Sequence, residues 1–231
     1  TLLIQPSKMS RRIDFYYDIV SPYTYLGFEV LCRHRSVWNL AIHFRPFFLG
    51  GIMKGANNRP PATVPLKGEH MMQCDLPRLA KHYSVPLVMN DRVVEIMFNT
   101  GTLSTMRFLT ALQQKQPDAV EPVSRQLFYR LFSSHQDVAQ PDSLRAAAEA
   151  AGLSADVTAA ALTDMLSDEV KSRLKSVTDE AVKLGAFGSP TFIVHTEDGR
   201  QEMVFGSDRF HIIGDLLGVE YKGPLKQLAK L

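Results

Sequence analysis

Alternating apolar and polar positions open the first predicted element of the chain. Residues 12–18 are rich in aromatic and β-favouring side chains and alternate in polarity at several positions, which predicts a strand. After Pro22, apolar side chains recur at helical spacing without a further Pro or a turn cluster, which predicts an amphipathic helix. Ser21 suits the N-cap and Pro22 the first helical position, so residues 21–24 are predicted to form a strand-to-helix turn.

The next alternating run, residues 40–47, predicts a second strand, parallel to the first and joined to it by the helix. Residues 50–61 are dense in Gly, Asn and Pro, and predict a long loop of the kind that often carries function. From about Asp75 to Asp164 the apolar spacing is helical, and Asp75 is expected to cap a helix over 76–83. Further helices are predicted over 103–112, 122–132 and 142–151, and from the N-cap candidate Ser154.

The strand pattern returns in the last quarter of the chain. Ser167 is expected to cap another amphipathic helix. Residues 191–195 and 201–205, with an Asp-Gly turn between them, predict a β-hairpin, and residues 210–217 predict a final helix. The order β-α-β, inserted helices, α-β-β-α is the thioredoxin topology with an all-helical insertion between its halves.

This order predicts an α/β fold in which a thioredoxin-like domain is interrupted by an all-helical inserted domain. Residues 1–10 are expected to be a flexible leader. The thioredoxin-like domain is predicted to comprise residues 11–61 and 177–231, and the inserted helical domain residues 62–176.

Composition narrows the functional classes. With 231 residues, of which 45% are hydrophobic and 22% charged, the chain can bury a full core. A net charge of +2 argues against a nucleic-acid partner, and no apolar run approaches the roughly 18 residues of a membrane span. Two cysteines without C-x-x-C spacing and seven histidines without ligand spacing indicate neither a disulfide framework nor a metal site.

Ser21 carries the first candidate chemistry. The first backbone N–H groups of a helix lack intrahelical partners, and the helix dipole places partial positive charge there, so an anion is favoured beside Ser21. The alternative is a purely structural cap, which the Ser-Pro pair suits equally well.

Two other positions fall near the same helix N-terminus in this topology. Ser189 precedes Pro190 at the start of a strand, where a cis peptide bond would leave the preceding backbone free to pair with an extended peptide. Ser207 and Asp208 precede the last helix, where they are expected either to cap the helix or to bind an ammonium group. One peptide-like ligand would contact all three positions.

Several short motifs together resemble the kappa-class glutathione transferases, relatives of the bacterial disulfide oxidases and of the 2-hydroxychromene-2-carboxylate isomerases. The resemblance runs from residue 13 to residue 231. The motifs lie at residues 15–23, 51–54, 58–61, 104–110, 185–190 and 205–209.

The resemblance implies a glutathione site. Ser21 then stands where the disulfide oxidases carry their first redox cysteine, and its hydroxyl donates a hydrogen bond to the glutathione sulfur. The resemblance also implies the other contacts: Pro22 and Tyr23 beside the sulfur, Asn58 and Lys67 on the tripeptide, Ser189 with its backbone before cis-Pro190, and Ser207 with Asp208 on the γ-glutamyl group. Ser189 departs from the larger apolar residue expected there, which leaves a backbone contact intact but would alter the electrophile pocket.

Three functions remain open from the sequence. The leading hypothesis is a glutathione transferase that conjugates glutathione, as its substrate, to small hydrophobic electrophiles or reduces peroxides. The second is a glutathione-dependent isomerase of the 2-hydroxychromene-2-carboxylate type, and the third a non-catalytic module that binds glutathione or a protein. A dithiol oxidoreductase is disfavoured because Ser21 and Thr24 occupy both redox-cysteine positions.

The resemblance also implies a homodimer and a peroxisomal or mitochondrial location. The C-terminal Ala229-Lys230-Leu231 differs by one small residue from a peroxisomal address, which favours the peroxisome.

Overall fold

A computed structural model describes residues 11–229. The predicted leader, residues 1–10, lies outside the described residues, as do Lys230 and Leu231 of the predicted address. No helix within the described range is long and apolar enough to cross a membrane.

A four-stranded mixed sheet forms the centre of the fold. Its strands are β1 (Arg11–Tyr17), β2 (Leu40–Pro46), β3 (Thr191–His195) and β4 (Gln201–Phe205), in the spatial order β2-β1-β3-β4. β1 is parallel to β2 and antiparallel to β3, and β3 is antiparallel to β4. The predicted strands, the parallel first pair and the hairpin are therefore confirmed.

Eleven α-helices surround this sheet in the described part of the chain: α1 (Pro22–Val37), α2 (Leu49–Gly55), α3 (Pro65–His70), α4 (Leu76–Tyr83), α5 (Asp91–Glu95), α6 (Leu103–Lys115), α7 (Val120–Phe132), α8 (Pro141–Ala150), α9 (Ala155–Asp164), α10 (Asp168–Lys183) and α11 (Phe210–Leu217). Ser154 and Ser167 cap α9 and α10 as predicted, each accepting a hydrogen bond from the backbone N–H three residues on. The α/β fold with helices between the two strand pairs is confirmed.

Aromatic side chains fill the core on the α1 side of the sheet. Phe15 lies 5.1 Å from both Tyr17 and Phe192, centroid to centroid, and 6.3 Å from Phe28 of α1. A smaller cluster around Tyr16 packs on the opposite face, beneath α2 and α10. Both faces of the sheet centre are thus buried, which holds α1 rigidly against β1.

The predicted loop over residues 50–61 is wrong in its first half, since α2 occupies residues 49–55. The reason is helix packing: a Cβ on Gly51 would lie 2.8 Å from Thr178 Cγ2, and one on Gly55 would lie 2.9 Å from Val182 Cγ2. The glycines therefore permit α2 to lie close against α10 instead of forming turns.

The predicted cap at Asp75 is also wrong. Asp75 has helical backbone angles and makes no capping hydrogen bond, because α3 continues through one π-helical turn, Met71–Asp75, into α4. The predicted domain boundaries stay a prediction. The boundary predicted at residue 177 falls inside α10. The Thr178 hydroxyl of this helix accepts a hydrogen bond from the Phe48 N–H.

Candidate functional site

Ser21 lies at the N-terminus of α1, beside the end of β1. Its backbone is extended (φ −92°, ψ 120°) and its Oγ accepts a hydrogen bond from the Thr24 N–H at 3.3 Å, so the predicted cap is confirmed. The same hydroxyl donates to the Ser189 carbonyl at 3.2 Å. Ser21 also lines an apolar cavity, so this residue both caps α1 and forms part of the cavity wall.

The Ser189-Pro190 peptide bond is cis, as predicted for a proline that opens this strand. The Ser189 side chain turns inward: its Oγ lies 2.6 Å from Thr24 Oγ1 and accepts a hydrogen bond from the Asp18 N–H at 3.3 Å. Ser189 is not among the described residues that line the apolar cavity, and the effect of its side chain on the electrophile pocket stays a prediction. Its hydroxyl instead links the cis-proline turn to α1.

A cavity of about 430 Å³ opens beside Ser21 and Tyr23. Its lining is dominated by apolar side chains and contains no Lys or Arg from residues 11–229. Thioether side chains adapt to irregular ligand shapes, and methionines are prominent here. Besides Tyr23, the sulfur-bearing and aromatic residues in the wall are Met53, Met71, Met72, Met89, Met97, Phe48 and Phe98.

A second cavity of about 320 Å³ shares the walls formed by Tyr23, Pro61 and Met71 with the first. Its far end is polar and contains Ser207 and Asp208. The two cavities therefore form one cleft with an apolar end and an acidic end, joined at Tyr23.

Ser207 and Asp208 are not the cap that the sequence allowed. α11 begins at Phe210, with Arg209 at the N-cap position and no side-chain capping bond. Ser207 is buried, and its carbonyl accepts a hydrogen bond from the Tyr83 hydroxyl at 3.1 Å. The Asp208 carboxylate is 61% exposed and pairs with Arg209 at 2.8 Å, and both residues line this end of the cavity.

Asn58 and Lys67 line neither cavity. The Asn58 side-chain amide donates to the Phe187 carbonyl at 2.8 Å and so links its loop to the segment before the cis-proline. Lys67 is exposed on α3. Of the predicted site residues, the structure therefore brings Ser21, Pro22, Tyr23, Ser207 and Asp208 into one cleft, with Ser189 and Pro190 directly behind Ser21.

Sequence reasoning missed Asp18 and Asp75. Asp18 is fully buried in the cavity wall, and burial raises the pKa of its carboxyl although three hydrogen-bond donors face it. Asp75 accepts a 2.6 Å hydrogen bond from the Tyr23 hydroxyl, and burial together with this bond raises the pKa of Tyr23. The sequence offered one indication for Asp18, namely its position at the end of a strand three residues before Ser21. It offered none that Asp75 would contact Tyr23.

No group of three His, Cys, Asp or Glu side chains suited to a metal ion occurs within residues 11–229. The cleft instead offers a helix N-terminus, hydroxyl groups and a carboxylate, which suit a zwitterionic peptide bearing a thiol.

Comparison with known proteins agrees with this geometry. The model of the DSBA-like thioredoxin domain matches residues 12–218. Human glutathione S-transferase kappa 1 is 40% identical over 217 residues, which cover 94% of this chain and 95% of the human protein. The 2-hydroxychromene-2-carboxylate isomerase of Sphingobium xenophagum is 26% identical over 211 residues, covering 90% of this chain and 99% of that protein. A solved structure of a 2-hydroxychromene-2-carboxylate isomerase has a TM-score of 0.73 at 20% identity, covering 90% of this chain and 94% of that one.

Proposed function

The chain belongs to the DSBA-like thioredoxin family and, within it, to the kappa-class glutathione transferases, and we propose that Ser21 is the residue that stabilises the glutathione thiolate. The single observation that carries this proposal is the Ser21 hydroxyl at the N-terminus of α1, in the wall of an apolar cavity. The reaction is conjugation of glutathione to a small electrophile or reduction of a peroxide.

The thiolate is the nucleophile, and an unperturbed thiol has a pKa of roughly 8.5. A helix N-terminus and one hydroxyl donor each contribute about 1 kcal/mol, and 1.36 kcal/mol corresponds to one pKa unit, so a depression of roughly one to two units is expected. The Ser21 hydroxyl has a single proton, which donates to the Ser189 carbonyl at 3.2 Å. On binding, the hydroxyl rotates so that this proton faces the sulfur.

The tripeptide runs from Ser21 toward the acidic end of the cleft. Asp208 binds the ammonium of the γ-glutamyl group and Ser207 its carboxylate, while the backbone of Ser189 before cis-Pro190 pairs with the cysteine residue. Pro22 and Tyr23 pack beside the sulfur. This orientation follows from charge, because the carboxylate of Asp208 lies at one end of the cleft.

Asn58 and Lys67 act at the edge of this site. Asn58 supports the cis-proline segment through its hydrogen bond to the Phe187 carbonyl. Lys67 is exposed on α3 and reaches the glycine carboxylate of glutathione only from outside the two cavities. Neutralising Lys67 is therefore expected to weaken glutathione binding less than neutralising Asp208.

The electrophile occupies the methionine-lined cavity beside Ser21. Among the residues that the structure describes, no Lys or Arg lines this cavity, whereas the buried carboxyl of Asp18 does. A carboxylate substrate would enter without a cationic partner, which is strongly unfavourable in an apolar site. The lining therefore favours a transferase acting on neutral, apolar electrophiles over an isomerase acting on a chromene carboxylate.

The test is to titrate glutathione calorimetrically into the wild type, Ser21→Ala and Ser167→Ala, and to follow thiolate absorbance against pH in each complex. Ser167 caps α10 in the same way that Ser21 caps α1, so Ser167→Ala controls for the loss of a cap. We expect all three to bind, with the thiol pKa raised by about one unit in Ser21→Ala alone. An unchanged thiol pKa or unchanged turnover in Ser21→Ala would refute the role of Ser21, and binding without turnover of any electrophile by the wild type would favour the non-catalytic module.

The homodimer and the peroxisomal or mitochondrial location remain proposals that rest on the family resemblance. Sedimentation of the purified protein tests the dimer. Imaging of the chain with and without its last three residues, which include the described Ala229, tests the peroxisomal address.

A further inference from the structure

A separate groove of about 620 Å³ lies on the opposite side of α2 from the methionine-lined cavity. Leu49, Gly50 and Met53 of α2 line the cavity, whereas Lys54 and Gly55 of the same helix line the groove. Its other walls come from α6 and α10. The groove and the methionine-lined cavity thus open on different residues of α2, and Phe48, just before that helix, contributes to the walls of both.

The groove concentrates positive charge. Four cationic side chains line it, from Lys54, Arg107, Lys171 and Lys175, and the only carboxylate that residues 11–229 contribute to the lining is Asp179. The Asp179 carboxylate is engaged by Lys175 at 2.5 Å, so it does not neutralise the other three cations. Because the net charge of the whole chain is only +2, the density of positive charge in this groove exceeds that of the average surface.

Two of these cations have no counter-charge within the described part of the chain. Lys54 and Arg107 make no ion pair there, whereas Lys171 contacts Asp168 at 3.1 Å along its own helix. The Arg107 Nε–H is buried and has no hydrogen-bond acceptor among residues 11–229. A guanidinium is always charged and presents its donors in a planar fork that suits phosphate, sulfonate and carboxylate oxygens.

The floor of the groove is apolar. Phe48, Leu103 and Leu174 contribute to its lining between the cations. A simple inorganic ion would leave these side chains uncovered, whereas an aromatic or aliphatic body would cover them. The lining therefore matches an anion with an apolar part.

We propose that this groove binds an organic anion that carries at least two negative charges on an aromatic or aliphatic body, with Arg107 and Lys54 as the principal partners of the charged group. The ligand links α2, α6 and α10, and does not take part in the glutathione reaction. Because Arg107 lies within one of the motifs on which the family resemblance rests and has no role in the glutathione cleft, the groove gives that residue a function.

The test uses ADP as the probe. Pyrophosphate represents its charged group alone, and adenosine represents its apolar body alone. Each is titrated calorimetrically into the full chain saturated with S-methylglutathione, so that the cleft is filled. We expect saturable binding of ADP, weaker binding of pyrophosphate and none of adenosine. Binding of adenosine as tight as that of ADP, or loss of ADP binding when S-methylglutathione is present, would overturn the proposal.

The variants are Lys54→Gln, and Lys54→Gln combined with Arg107→Gln. The matched control combines Lys81→Gln with Arg145→Gln, which removes the same charge at exposed positions outside the groove. We expect ADP affinity to fall roughly tenfold or more in the double variant and less in Lys54→Gln, with the control unchanged. Because Lys54 is exposed, its variant keeps the test informative if Arg107→Gln fails to fold. Equal losses in the control and the groove variants would show a non-specific effect of net charge and would overturn the assignment.

Discussion

The buried ion pair between Glu29 and Arg125 links the helix that begins at Ser21 to α7. Arg125 Nε donates to Glu29 Oε1 at 2.8 Å, and the Glu29 side chain is only 1% exposed. The guanidinium also lies over the Phe28 ring, 5.0 Å from its centroid. Arg125→Met would keep most of the side-chain volume but leave the Glu29 carboxylate buried without its cation.

The expected loss is large because the remaining charge has no way to reach water. Removing one partner of a buried pair typically reduces the free energy of unfolding by about 3–5 kcal/mol. For a domain of this size, each kcal/mol lowers the melting temperature by roughly 2–4 °C, so a decrease of about 10 °C is expected. Replacing both partners, Glu29→Gln with Arg125→Met, removes the uncompensated charge and should recover most of this loss.

The pH dependence follows from the direction of the Glu29 pKa. Burial raises the pKa of Glu29 and the Arg125 guanidinium lowers it, with burial the larger effect. A carboxyl whose pKa is higher in the folded than in the unfolded state contributes stability to the folded state. This contribution is fully present below the unfolded pKa of about 4.3 and is lost as the pH rises through the folded pKa. Without Arg125 the pKa of Glu29 rises further, so the deficit of Arg125→Met should grow between roughly pH 5 and pH 8.

The measurement is urea unfolding of the wild type, Arg125→Met and the double variant at about pH 5 and about pH 8. A deficit below about 1 kcal/mol for Arg125→Met at pH 8 would refute the account of a desolvated pair. So would a double variant as unstable as Arg125→Met alone, since that result would assign the loss to packing or to the Arg125–Glu121 pair at 3.2 Å rather than to the charge on Glu29.

Two further predictions concern the site and the sheet. A Cβ on Gly27 would lie 3.1 Å from Pro190 Cγ, so Gly27→Ala should displace the cis-proline turn and weaken glutathione binding several-fold in calorimetry, with a smaller effect on the melting temperature. Burial opposes ionisation of Asp14, but the hydrogen bonds from Arg12 and His195 prevail and hold its pKa below the usual range. A lowered carboxyl pKa contributes stability that is present above the unfolded value of about 3.9 and lost as the pH falls through the folded pKa. Asp14→Asn should therefore destabilise by roughly 2 kcal/mol at pH 7 and by less at pH 3, measured by urea unfolding.

The strands, three of the caps and the cis bond were predictable because each depends on neighbouring residues. Ser21, Ser154 and Ser167 each begin a helix by bonding a backbone N–H three residues on, and the information lies within four residues of sequence. The same holds for Pro190 at the start of β3.

Helix α2 was not predictable by the same reasoning. Its glycines resemble a loop in composition, and their purpose is visible only when α10 lies against them at Gly51 and Gly55. The inward turn of Ser189 onto Thr24 likewise joins residues 165 positions apart in the chain. Both features arise where a residue is selected for a distant neighbour rather than for its own backbone.

Asp18 shows why the most informative residue of the cavity wall could not be found locally. Its carboxylate accepts hydrogen bonds from the Val20 N–H at 3.0 Å, the Leu49 N–H at 2.8 Å and the Thr102 hydroxyl at 2.6 Å. These three donors belong to the turn before α1, the start of α2 and the residue before α6, which all border the cavity. Burial raises the pKa of Asp18 although these three donors face its carboxyl. The three hydrogen bonds join the turn before α1, the start of α2 and the residue before α6 around Ser21, so the role of Asp18 depends on partners up to 84 positions away in the chain.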